Sequence, residues 1–230
     1  MSQKIPHVYL SGLISIAAHH LPNTWHETVE QNLYGVCTFT NPSARNLYTV
    51  DKFSNLSEYV LKQNIEALKK SDILLVNLKN THCISIEPML EIAWAALAQK
   101  NIVLIVDEHN IHTSDLLLSE DCVSFVTDNM DDACAYLTSY ADGKAAVHDR
   151  SFPVGNSRSF NVLVQIIQTL SINNESLLLN LRGHSHTVVD VLFLLALAYK
   201  MNVRSALHLK EGSAYNHPML HAIVDEIKIF

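Results

Sequence analysis

Two uninterrupted apolar runs, Ile73-Leu74-Leu75-Val76-Asn77-Leu78 and Ile102-Val103-Leu104-Ile105-Val106, enclose a helix-like segment, Ser85-Ile86-Glu87-Pro88-Met89-Leu90-Glu91-Ile92-Ala93-Trp94-Ala95. Strands that are apolar at nearly every position are buried on both faces, and parallel neighbours need a crossover helix between them. The stretch therefore directs the chain toward a parallel sheet covered by helices. It also sets Glu87 and Glu91 one helical turn apart on the same face, at the carboxyl end of a strand. Open α/β sheets hold their chemistry there.

The rest of the first half fits the same alternation. Val8-Tyr9-Leu10 followed by Ser11-Gly12 reads as a strand entering a tight loop. Trp25 to Leu33 reads as a helix, and Val36 to Phe39 as a short strand ended by Asn41-Pro42. A helix capped by Ser57 is expected to run to about Lys70. After the two central strands, Val123 to Val126 and a helix over Asp131 to Tyr140 complete a doubly wound, flavodoxin/Rossmann-like α/β domain over 1–145.

The second half, 146–230, reads as a smaller α/β unit. Leu177-Leu178-Leu179-Asn180-Leu181-Arg182 mirrors Leu74-Leu75-Val76-Asn77-Leu78-Lys79. Under the same shift Asp190 falls on Glu87, Leu194 falls on Glu91, and the helix-like Phe160 to Leu170 matches Ser57 to Ala67. Either this is a degenerate partial repeat or two buried βα units share a Leu/Ala/Val composition. Gly143 to Ser159, with Pro153 and Gly155, is the expected linker.

Composition narrows the functional classes. A net charge of −7, with no Lys/Arg cluster, argues against a nucleic-acid partner gripped through its phosphates. Cys37, Cys83, Cys122 and Cys134 are widely spaced and read as reduced thiols of a cytoplasmic protein. Val8 to Ala18 is interrupted by Ser11, Gly12 and Ser15 and fits a signal peptide poorly. Thr187 to Tyr199 contains Asp190 and is too short to span a bilayer, so it reads as a buried helix and no membrane partner is expected.

Glu87, beside Pro88, suits a helix start, where a carboxylate gains from the macrodipole. Glu91 lies a turn later among apolar residues and is the stronger candidate for chemistry. Tyr9-Leu10-Ser11-Gly12, Trp25-His26-Glu27, Asn41-Pro42, Ser85-Ile86 through Glu91-Ile92-Ala93-Trp94-Ala95 and Lys100-Asn101-Ile102-Val103 together resemble the nucleoside 2-deoxyribosyltransferase family, over about residues 5–110.

That resemblance implies a flavodoxin-like domain whose motif glutamate attacks the anomeric carbon of a nucleoside, and Glu91 occupies its place. It further implies a catalytic role for Tyr9 as a hydrogen-bonding partner of Glu91. Gly12 and Ser85 would lie against the substrate. Asn64 stands where the family has an Asp that serves the departing base, and an amide cannot supply a proton. Glu87 and Pro88 replace the Gly-Thr of the family motif. A carboxylate at Glu87 would repel a 5′-phosphate, so an unphosphorylated nucleoside is the better fit.

No cofactor is expected. Thirteen histidines, among them His184, His186, His217 and His221, show no metal-ligand spacing, and His19-His20 reads as a solvated loop. Three classes remain: an enzyme transferring or hydrolysing the N-glycosidic bond, a non-catalytic nucleoside- or nucleotide-binding module, and an assembly protein. Family members complete their sites across a subunit interface, which implies a homo-oligomer, unless the second half supplies that interface within one chain.

Overall fold

The computed structural model describes residues 4–12, 25–42, 56–81, 84–119, 121–144, 159–181 and 188–230. In chain order the first half comprises β1 (His7–Gly12), α1 (Trp25–Asn32), β2 (Thr38–Thr40), α2 (Leu56–Lys70), β3 (Ile73–Asn77), α3 (Ile86–Leu97), β4 (Asn101–Ile105), β5 (Phe125–Thr127) and α4 (Met130–Ala141). The five strands form a sheet in the order β2-β1-β3-β4-β5, with every pair parallel. That is the flavodoxin-like order, whose direction of winding reverses between β1 and β3.

Strand periodicity explains why both faces are apolar. Ile73 and Leu75 join Val8, Leu10, Val103 and Ile105 in a core beneath α1 and α4. Leu74 and Val76 point the other way, with Tyr9, Ile102 and Leu104, into a larger core beneath α2 and α3. Ser57 is not the cap of α2, which already begins at Leu56 and so places Ser57 within its first turn.

The second half contains α5 (Phe160–Ile172), β6 (Leu177–Asn180), α6 (Val188–Lys200), β7 (Ser205–Leu209), α7 (Pro218–His221) and β8 (Glu226–Ile229), with a parallel sheet in the order β6-β7-β8. The sequence reading reached no further than α6. Its last two strands and α7 come from short segments whose pattern is too brief to separate strand from loop.

The correspondence between the halves extends to hydrogen bonding. One constant shift carries the pairs Leu74–Ile102 and Asn77–Ile105 of β3–β4 onto Leu177–Ser205 and Asn180–His208 of β6–β7. The same shift relates the helix ends. Gln99 and Asn202 take left-handed backbone angles of φ 53° and 56°. The next amides close back on their helices, Lys100 N–H to the Ala95 carbonyl at 3.0 Å and Val203 N–H to that of Ala198 at 2.9 Å. Both ends are Schellman caps. The second half thus follows the α2–β5 portion of the first in strand order and register, with α7 added before its last strand.

The two halves meet through α3 and α6, the corresponding helices of the repeat, and one apolar core runs through both. α6 falls on the apolar run read as a buried helix, and it is buried from Val189 to Ala198 except at Asp190 and Leu194, which are half-buried. Among the described residues no helix is long and apolar enough to cross a membrane. The expected boundary near residue 145 falls outside the described residues.

Candidate functional site

The alternation of β1 that sends Val8 and Leu10 toward α1 and α4 sends Tyr9 and Ser11 together toward α3. There both meet Glu91. The Tyr9 hydroxyl donates to Glu91 Oε1 at 2.7 Å and the Ser11 hydroxyl to Oε2 at 2.5 Å. Glu91 is 4% exposed. A carboxylate taken out of water requires such donors, and one on each oxygen suits the ionised form. The group sits at the carboxyl ends of the strands, beside the β1–β3 reversal.

A cleft opens onto this carboxylate. It is lined by Leu10, Ser11, Gly12, His26, Pro42, Asn64, Glu87, Pro88 and Glu91, and holds about 20 Å³ of free space, room for a single water molecule. A second small cavity on the far side joins Leu61, Asn64, Glu87, Leu90, Glu91 and Trp94 to Met219 of α7, so the second half forms part of the wall. Five of the six residues singled out in the sequence, Glu91, Tyr9, Asn64, Gly12 and Glu87, meet here. Asn64 is buried on α2.

Glu87 lies one turn before Glu91 and faces the same cleft. Burial pushes its carboxyl above the usual carboxylate range. Gly12 has a structural reason for its identity. A Cβ there would lie 2.7 Å from the Asn77 carbonyl oxygen and 3.1 Å from the Trp25 ring. Only glycine lets the end of β1 lie this close to β3 and α1.

Ser85, the sixth, is placed differently. It precedes α3 at the cap position, yet its side chain makes no capping bond. Its N–H donates to His112 Nε2 at 2.9 Å, and its buried hydroxyl has no hydrogen-bond partner among the described residues. Asn110 Oδ1 accepts from His112 Nδ1 at 2.8 Å, while the Asn110 amide donates to the Leu78 carbonyl at 2.7 Å. This chain fixes the tautomer of His112, with hydrogen on Nδ1 and the lone pair on Nε2. Burial lowers its pKa to about 4, so it is neutral. Its work is to tie the start of α3 to the loop after β4.

Two residues of the site were not assigned from sequence. Ser11 was signalled by its position two residues after Tyr9, on the same strand face. His26 was quoted within Trp25-His26-Glu27 without a role. It is 3% exposed, stacks on Trp25 with ring centroids 3.8 Å apart, and has a pKa lowered to about 4 by burial.

Two further histidines have local partners in and beside α7. His217 Nδ1 accepts the Met219 N–H at 3.2 Å as the cap of α7, and His221 Nε2 lies 2.8 Å from Asn216 Oδ1. Among the described residues no group of three potential ligands could hold a metal ion. His19, His20, His184, His186 and Cys83 lie outside the described residues. Cys37, Cys122 and Cys134 are buried and form no disulfide.

No known family model matches the chain, and no curated protein matches it either.

Proposed function

We propose that the chain cleaves or transfers the N-glycosidic bond of unphosphorylated (deoxy)nucleosides through a glycosyl ester on Glu91. The observation that carries this reading is the pair of hydroxyls, Tyr9 and Ser11, aimed at the two oxygens of one buried carboxylate at the switch point of the sheet. Held this way, a carboxylate has fixed orientation and little water around it, as a nucleophile toward an anomeric carbon requires. Its negative charge also stabilises the oxocarbenium character of the transition state. The motif resemblance names the substrate class, and the carboxylates of Glu87 and Glu91, with no Lys or Arg among the described lining residues, favour a substrate without phosphate.

Asn64 can orient the departing base by hydrogen bonds. The proton itself comes from Glu87, whose burial keeps a carboxyl protonated to higher pH than usual. The two acids then divide the work as in retaining glycosidases, one as nucleophile and one as acid. The cleft must widen to admit a sugar, since its free space is about that of one water.

Glu91→Ala should abolish base release from deoxynucleosides while circular dichroism shows a folded protein. Unchanged turnover in that variant ends the reading. The narrow cleft and Asn64 favour a second reading, a module that holds a nucleoside without chemistry. Nucleoside binding by the wild type, with no glycosyl adduct on Glu91 in a mass spectrum and no free base, would decide for it. In either case α6 occupies the outer face of α3, so a homo-oligomer would form through another surface.

A further inference from the structure

We propose that His26 is the base that deprotonates the acceptor, a water or the N–H of an incoming nucleobase, in the second half of the reaction. This rests on Glu91 carrying the glycosyl group. His26 lines the cleft from α1, as Glu87 and Glu91 do from α3, and its Nδ1 is buried with no hydrogen-bond partner among the described residues. Leaving a buried nitrogen without a partner is costly, so each such group calls for an explanation.

The contrast with His112 sharpens the point. Both imidazoles are buried and neutral, with pKa values near 4. His112 has each nitrogen committed, and its tautomer is pinned by Asn110 and the Ser85 N–H. His26 stacks on Trp25, and no described residue engages its Nδ1. A neutral imidazole beside a reacting carboxylate can accept a proton. Among the described residues the titratable groups that share its cleft are Glu87 and Glu91, both on α3; β1 and α2 add only Ser11, Gly12 and Asn64 from the polar or small residues.

The proton and electron count closes. In the first half a Glu91 oxygen bonds to the anomeric carbon. The C–N bond breaks with its electron pair going to the base nitrogen, which takes the proton of Glu87. In the second half the acceptor's lone pair bonds to the anomeric carbon, the ester C–O bond breaks, and its pair returns to Glu91 as a carboxylate. His26 takes the acceptor's proton in that step, so the imidazolium forms as its counter-ion is regenerated. It then passes the proton to the Glu87 carboxylate, restoring the starting state.

The test is a quenched time course of the full chain with the common 2′-deoxynucleosides, following the Glu91 adduct by intact-protein mass spectrometry. In His26→Gln the adduct should form at close to the wild-type rate and decay at least about 100-fold more slowly, the range of a lost general base. Glu87→Gln should do the reverse, slowing formation. Free imidazole should restore decay in His26→Ala, which keeps the test sound if the Gln variant folds poorly. Decay at the wild-type rate in His26→Gln, whether or not its melting temperature falls, overturns the proposal and makes His26 a buried structural ring. If the wild type forms no adduct and releases no base, the Glu91 reading falls and His26 with it. A wild type that turns over beside an unaffected His26→Gln removes only the role of His26.

Discussion

The Trp94 indole N–H donates to the main-chain carbonyl of Ala196 across 2.9 Å, joining α3 of the first half to α6 of the second. Trp94 is 4% exposed, and its ring also lies 6.1 Å from that of Tyr199. Under the shift that relates the two halves, its counterpart is Leu197, which has no side-chain donor to return the bond.

Trp94→Leu removes that bond and leaves a void at the junction. It should destabilise the protein by about 2–4 kcal/mol. Because one apolar core spans both sheets, urea unfolding followed by circular dichroism should remain a single transition, shifted to lower denaturant. Two separated transitions in the wild type would show that the halves fold independently.

Gly12→Ala should be costly despite its single added carbon. The new Cβ would sit 2.7 Å from the Asn77 carbonyl oxygen, a backbone atom that moves only if the β1–β3 register moves with it. A loss of about 1–3 kcal/mol is expected, the cost of overpacking a rigid site. Thermal melting checks it; a melting temperature equal to the wild type would mean that the strand ends are looser than the pairing implies.

The parallel sheet was legible because β3 and β4 are apolar on both faces, a pattern few other structures satisfy. Glu91 was legible because a carboxylate among Leu90, Ile92 and Trp94 has no solvent face to turn to. Ser11 and His26 were not. A serine at a strand end and a histidine inside a helix carry no signal until the fold shows which of them meets a carboxylate. Nor was the bond from the Ser85 N–H to His112 legible, because His112 stands far away in sequence. The last strand, β8, alternates as Glu226-Ile227-Lys228-Ile229, but four residues are too short a run to announce a strand.

Stability should fall on acidification through the two buried histidines. His26 and His112 have pKa values near 4 in the folded protein against an ordinary 6.5. Between those values the unfolded chain binds protons that the folded one refuses. Stability is therefore complete above about pH 6.5 and drains away toward pH 4, by up to about 3 kcal/mol per group. Glu87 acts in the opposite sense, because burial raises its folded value and acidification favours its folded form. Urea midpoints at pH 7.5 and pH 5 should differ clearly in the wild type and less in His112→Gln. An equal drop in that variant would remove His112 from the account.

Asn64→Asp would place a third carboxyl in a cleft that already holds Glu87 and Glu91. Like charges so confined cannot all ionise, so the new group should titrate above the usual Asp range. The variant should be less stable than the wild type at pH 7.5, where ionisation is forced, and should recover as the pH falls and the carboxyl is protonated. That same proton is what an amide cannot offer a departing base. Base release should rise, by about 10-fold or more below neutral pH, if proton delivery limits the first step. Melting curves and single-turnover base release at pH 6 and pH 7.5 measure both effects on one protein. A variant as stable as the wild type at both pH values would place residue 64 outside the reach of the α3 carboxylates. A stability loss with no gain in base release would leave Glu87 as the sufficient proton source.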